Sequence, residues 1–87
     1  MNEINWTSHA FRQLKKVPQE MRGIINNAVK KLAATWPTSS SVIKLTNREE
    51  YRLRVRDYRV IFTVQPDGEV VILHILEVNK RNERTYQ

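Results

Sequence analysis

Between Tyr51 and Val55 the chain alternates strictly: Tyr51, Leu53 and Val55 are apolar, while Arg52 and Arg54 are basic. Side chains of a strand point to opposite faces in turn, so this spacing predicts a half-buried strand with arginine on its other face. Arg56 extends the basic set. A turn at Asp57 then sends the chain back as a second strand, Tyr58 to Val64, which brings Arg59 beside its predecessors. Guanidinium groups are planar, permanently charged and matched to phosphate oxygens. Gathered on adjacent strands they repel one another unless an anion or an acidic partner lies between them. Two readings stay open at this point: an anion site, or a solvated edge whose cations discourage strand-to-strand aggregation.

The charge balance bears on that choice. The sequence holds 15 Lys and Arg against 9 Asp and Glu, a net +6 with a pI near 10.1. Such an excess favours polyanions: nucleic acid, an acidic protein or an anionic membrane surface. The 87 residues make one domain spanning 1–87, with room for one modest core. Cysteine is absent, and His9 and His74 alone do not make a metal cage, so neither metal nor cofactor is expected. No run approaches the roughly 18 apolar residues of a membrane span. The N-terminus lacks a signal pattern, so a cytoplasmic location is expected.

The remaining elements follow from periodicity. Glu3-Ile4-Asn5-Trp6 alternates and predicts a short first strand. Thr7 and Ser8 suit a helix N-cap, with Phe11 and Leu14 spaced for one face and Pro18 ending the element. Pro18 also fits the first turn of a second helix. Met21, Ile24, Ile25, Ala28, Val29, Leu32 and Ala33 form its apolar stripe, and Pro37 stops it. Val42-Ile43-Lys44-Leu45 is a brief apolar patch before a turn at Thr46-Asn47. Gln65-Pro66-Asp67-Gly68 reads as a hairpin turn. The following run, Glu69 to Val78, is apolar on both faces, which predicts a central strand covered on both sides, with His74 as a hydrogen-bonded core histidine. The tail from Asn79 to Gln87 reads either as a frayed basic end or as a return of Lys80, Arg81 and Tyr86 to the arginine face.

This order of elements, with YRLRVRDYRVIFTV and the closing VNKRNERTY, resembles the RelE/ParE superfamily of toxin–antitoxin toxins over nearly the whole chain. The resemblance implies an α+β fold: an N-terminal strand and two helices packed on one face of an antiparallel sheet of about four strands. For a RelE-type member it implies metal-independent, ribosome-dependent cleavage of messenger RNA in the ribosomal A site. There the ribose 2′-hydroxyl attacks the adjacent phosphate, which requires a proton acceptor, cations for the crowded phosphorane and a proton donor. The family's catalytic positions fall on Arg52, Arg54, Arg59, Arg81 and Tyr86. Arg59 and Arg81 would hold the scissile phosphate, and Tyr86 would orient a nucleotide. Lys44, Arg56, Lys80 and Arg84 are further RNA-binding candidates.

Two departures stand out. Arg52 and Arg54 occupy positions where the best-known RelE-type enzyme has lysine. Lysine can be tuned to give up its proton, whereas arginine does not. The base must then lie elsewhere, with Lys44, Glu49, Glu50 and Lys80 as spare candidates, or the reaction relies on electrostatics and positioning. The chain also stops at Gln87, where several relatives continue into a helix. The implied partner is a small acidic antitoxin in a hetero-oligomeric complex. Two alternatives share the fold: a ParE-like gyrase inhibitor that acts by binding, and a non-catalytic RNA- or partner-binding module.

Overall fold

The computed structural model describes residues 2–39 and 41–80. The strand β1 (Glu3–Trp6) leads into helix α1 (Ser8–Lys15) and then α2 (Gln19–Thr35). Strands β2 (Val42–Lys44), β3 (Tyr51–Val55), β4 (Tyr58–Asp67) and β5 (Val70–Lys80) follow. They form one five-stranded sheet in the order β1-β5-β4-β3-β2. The β2, β3, β4 and β5 pairings are antiparallel, but β1 lies parallel to β5, so the sheet is mixed and holds one strand more than the expected four.

Both helices pack on the same face. Thr7 caps α1 as its sequence suggests: Oγ1 accepts from the Ala10 N–H at 3.2 Å and donates to the Ile75 carbonyl at 2.8 Å. The same side chain therefore starts the helix and pins it to β5. Pro18 stands at the N-cap of α2, one place earlier than expected, and Trp36 ends that helix before a cis bond to Pro37. The α2 stripe buries Ile25, Val29, Leu32 and Ala33. Against it lie Leu53 and Val55 of β3, Tyr58, Val60 and Phe62 of β4, and Leu73, Ile75 and Val78 of β5. Phe62 stacks on Tyr51 with ring centroids 5.4 Å apart, and Trp36 meets both rings edge-on. Trp36 thus closes the corner where α2 leaves the sheet.

Three expectations need correction. Phe11 is about half exposed, at 49%, and the core face of the first helical segment is Ala10, Leu14 and Val17. The second hairpin turns at Gly68 and Glu69, with φ +67 at Gly68, while Gln65, Pro66 and Asp67 are still paired with β5. Strand β5 is interior, but β4 is the middle of the five. Its second face is not covered by another layer among the described residues, and Ile72, His74 and Leu76 there are only half-buried.

Candidate functional site

The face away from the helices carries the basic residues, and strand register fixes their arrangement. Arg54 of β3 is directly opposite Arg59 of β4, and Arg59 is opposite Asn79 of β5. The next row runs Ile43, Arg52, Ile61, Glu77 across β2, β3, β4 and β5. Opposed side chains of an antiparallel pair share a face, with Cβ atoms about 4.5–5.5 Å apart. Arg52, Arg54 and Arg59 therefore form one compact group, because Leu53, Val55, Tyr58 and Val60 between them are turned into the core. Arg52 and Arg59 are half-buried and Arg54 is exposed. Among the described residues the one ion pair joins Arg48 to Glu50 at 4.0 Å, so no described carboxylate neutralises the group.

Arg56 departs from the strand pattern. With Asp57 it forms the loop between Val55 and Tyr58, adopting φ 54, a left-handed conformation that is uncommon without glycine. Its exposed side chain projects from the tip of the hairpin rather than joining Arg52 and Arg54 on the strand.

Two further candidates sit elsewhere. Lys44 is opposite Tyr51, whose ring points to the helix side. Its ammonium donates to the Arg48 carbonyl at 2.6 Å and lies 5.9 Å from the Tyr51 ring centroid. Lys80 is opposite Tyr58, again on the helix side of the strand, at the exposed end of β5. Neither lysine shares the face of Arg54 and Arg59. Glu49 is exposed before β3, and Glu50 is engaged with Arg48. Arg81, Arg84 and Tyr86 lie outside the described residues.

One residue of that face escaped the sequence reading. Glu77 lies in the same row as Arg52, with Ile61 between them, and Oε1 accepts from Asn79 Nδ2 at 2.8 Å. A glutamate in an otherwise apolar strand was the available signal. Further along, His74 Nδ1 lies 2.9 Å from Asn5 Nδ2, and Nε2 lies 2.7 Å from Gln65 Oε1. As those amides are oriented, Asn5 donates to Nδ1 and the Nε2–H donates to Gln65. His74 is thus hydrogen-bonded as expected, but as a cross-strand tie on the open face rather than in the core. Among the described residues no group of three or more His, Cys, Asp or Glu is placed to hold a metal ion. No helix among them is long and apolar enough to cross a membrane.

Comparison with known proteins places this architecture. The sequence profile of the ParE toxin of type II toxin–antitoxin systems matches residues 4–81. The chain belongs to that toxin family. No curated protein sequence matches it. The isolated RelE toxin of E. coli superposes with a TM-score of 0.75 at 16% identity, covering 99% of this chain and 90% of that one. A YoeB/ParE toxin from Agrobacterium tumefaciens gives 0.74 at 14% identity, covering 92% and 99%. The archaeal RelE–RelB complex from Pyrococcus horikoshii OT3 gives 0.71 at 20% identity, covering 94% and 97%. At these identities the likeness establishes the shared RelE-like fold. The toxin is thus a member of the RelE/ParE superfamily, and its arginine group lies on the helix-free face of that fold.

Proposed function

We propose that this toxin is a metal-independent endoribonuclease that cuts messenger RNA at the ribosomal A site. The observation that carries this reading is the cross-strand grouping of Arg54, Arg59 and Arg52 without a described carboxylate to neutralise them. Such a group is stable when an anion enters it, and a phosphate diester matches guanidinium geometry.

In the reaction, the 2′-oxygen attacks the neighbouring phosphorus and the bond from phosphorus to the 5′-oxygen breaks. A 2′,3′-cyclic phosphate remains, and the 5′-oxygen leaves as a hydroxyl after taking a proton. Arg52, Arg54 and Arg59 hold the phosphate and offset the charge that grows on the phosphorane. Because arginine does not accept the 2′ proton, a separate base is needed. Glu77 fits that task better than Lys44, Glu49, Glu50 or Lys80: its strand position faces the same side as the arginines. Arg81 and Tyr86 keep the roles implied by the resemblance, a second phosphate contact and a platform for the nucleotide.

The partner on this reading is an acidic antitoxin, supported by the complexes among the similar structures: RelBE2 from Mycobacterium tuberculosis, E. coli RelBE and the P. horikoshii pair. Charge complementarity with a +6 chain would speed its association. The absence of a membrane-spanning helix among the described residues agrees with action in the cytoplasm.

A second reading is favoured by the family description itself, which names ParE of parDE. In that case the chain poisons gyrase by binding and cuts no RNA. Expression without antitoxin separates the two. The nuclease gives arrested translation with cuts inside translated messages, relieved by Arg59→Met and by Arg52→Met in protein that still folds. DNA breaks with intact messages would overturn the nuclease reading.

A further inference from the structure

A cleft of about 310 Å³ opens where the C-terminal end of α2 meets the free end of β3. It is lined by Lys31 and by four hydroxyl-bearing residues, Thr35, Thr38, Ser39 and Ser41, with Arg54 at its β3 edge. Ala28, Leu32 and Leu53 give it an apolar floor, and no carboxylate among the described residues lines it. Strand β2 pairs with β3 only as far as Leu53, and the Arg54 N–H is then taken by the Ser41 carbonyl at 3.0 Å. The short edge strand therefore leaves the space open beside Arg54.

A helix C-terminus normally repels anions, because its last carbonyls carry partial negative charge. Here one of them, the Thr35 carbonyl, already accepts from the Thr38 N–H at 2.8 Å, and the Thr35 hydroxyl is turned back toward the Lys31 and Thr38 carbonyls at 3.0 and 3.1 Å. Lys31 and the hydroxyl-bearing residues of the cleft lie above an apolar base, so a phosphate can meet the lysine while the sugar hydroxyls meet the threonines and serines.

We propose that this cleft is a second nucleotide subsite, reached from the arginine face around the open edge of β3 at Arg54. It receives the nucleotide flanking the one held by Arg52 and Arg59, with Lys31 on its phosphate. The inference rests on the RNA-binding reading and extends it to substrate length: short fragments occupy the arginine face alone, and longer single strands reach the cleft.

The test is fluorescence anisotropy with labelled hexauridylate and with the dinucleotide UpU, over a range of salt concentrations. Lys31→Met weakens hexauridylate binding several-fold, reduces the dependence of log affinity on log salt by about 0.7, the value for one phosphate on a single strand, and leaves UpU binding unchanged. Lys30→Met, which removes an exposed charge from the same helix outside the cleft, has a smaller effect. Equal losses in the two variants, or no loss in Lys31→Met while Arg59→Met abolishes binding, overturn the subsite and leave the RNA reading intact. Wild-type protein that binds neither RNA overturns the RNA reading, and binding that survives both Arg52→Met and Arg59→Met overturns the arginine face as its site; either result takes the subsite with it.

Discussion

Arg54 and Arg59 face each other directly across the β3–β4 hairpin, like charges in a position where a salt bridge would ordinarily stand. Opposed like charges on a sheet are destabilising, by an amount at the low end of about 0.2–1 kcal/mol when solvent screens them. Replacing Arg54 with threonine, a good strand former, should therefore raise the urea midpoint slightly while RNA binding falls. Stability and binding moving in opposite directions would mark the pair as kept for a ligand. A lower midpoint would show that the arginines stabilise the hairpin instead.

Glu77→Gln keeps size and shape while removing the negative charge and with it the capacity to accept a proton. If Glu77 is the base, single-turnover cleavage slows by about 10²–10⁴-fold, the usual contribution of general base catalysis. RNA affinity holds or rises slightly, because a carboxylate is lost from the face that receives the phosphate. A rate within a factor of a few of wild type would assign the proton transfer to another group.

Gln13 stitches α1 to the end of β5, past the point where β1 stops pairing. Its Oε1 accepts from the Val78 N–H at 2.7 Å and its Nε2 donates to Asn79 Oδ1 at 3.2 Å. Gln13→Leu leaves a part-buried N–H without its partner, at a cost of about 1–3 kcal/mol. Hydrogen exchange at Val78 should accelerate accordingly, and cleavage should fall as Asn79, opposite Arg59, loses its anchor. Unchanged exchange at Val78 would show that the contact is dispensable.

Gly23 lies inside α2, and a Cβ built there meets nothing within 4 Å. Gly23→Ala should stabilise the fold by about 0.5–1 kcal/mol, the ordinary helix preference of alanine, seen as a raised denaturant midpoint.

Much of this molecule is written in local pattern. The alternation from Tyr51 to Val55 specifies β3 and its faces, and the Met21 to Ala33 stripe specifies α2, because each period has one way to bury its apolar set. What failed depends on neighbours that local pattern does not contain. Phe11 looked like core, but the packed positions are Ala10, Leu14 and Val17, and a small alanine gives almost no apolar signal. Strand β5 looked covered on both faces. Its open side instead carries half-buried Ile72 and Leu76, and a register shift at Ile61 and Phe62 leaves Leu76 without a partner. The grouping of Arg54 with Arg59 was legible because two residues join their strands. The placement of Glu77 in the row of Arg52, with Ile61 between them, was not, since it needs two strand pairings and a bulge to be known together. On sequence alone Lys44 is a spare candidate and Lys80 part of a tail returning to the arginine face; register places both on the helix side, which no local pattern indicates.

The most direct measurement is of the ends left on a translated message. Purified toxin is added to a translating extract, and the cut fragments are analysed for their terminal chemistry. The account predicts 2′,3′-cyclic phosphate on the upstream fragment and a free 5′-hydroxyl on the downstream one, both lost with Arg59→Met. Messages that stay intact beside wild-type toxin, at doses that arrest growing cells, would contradict it.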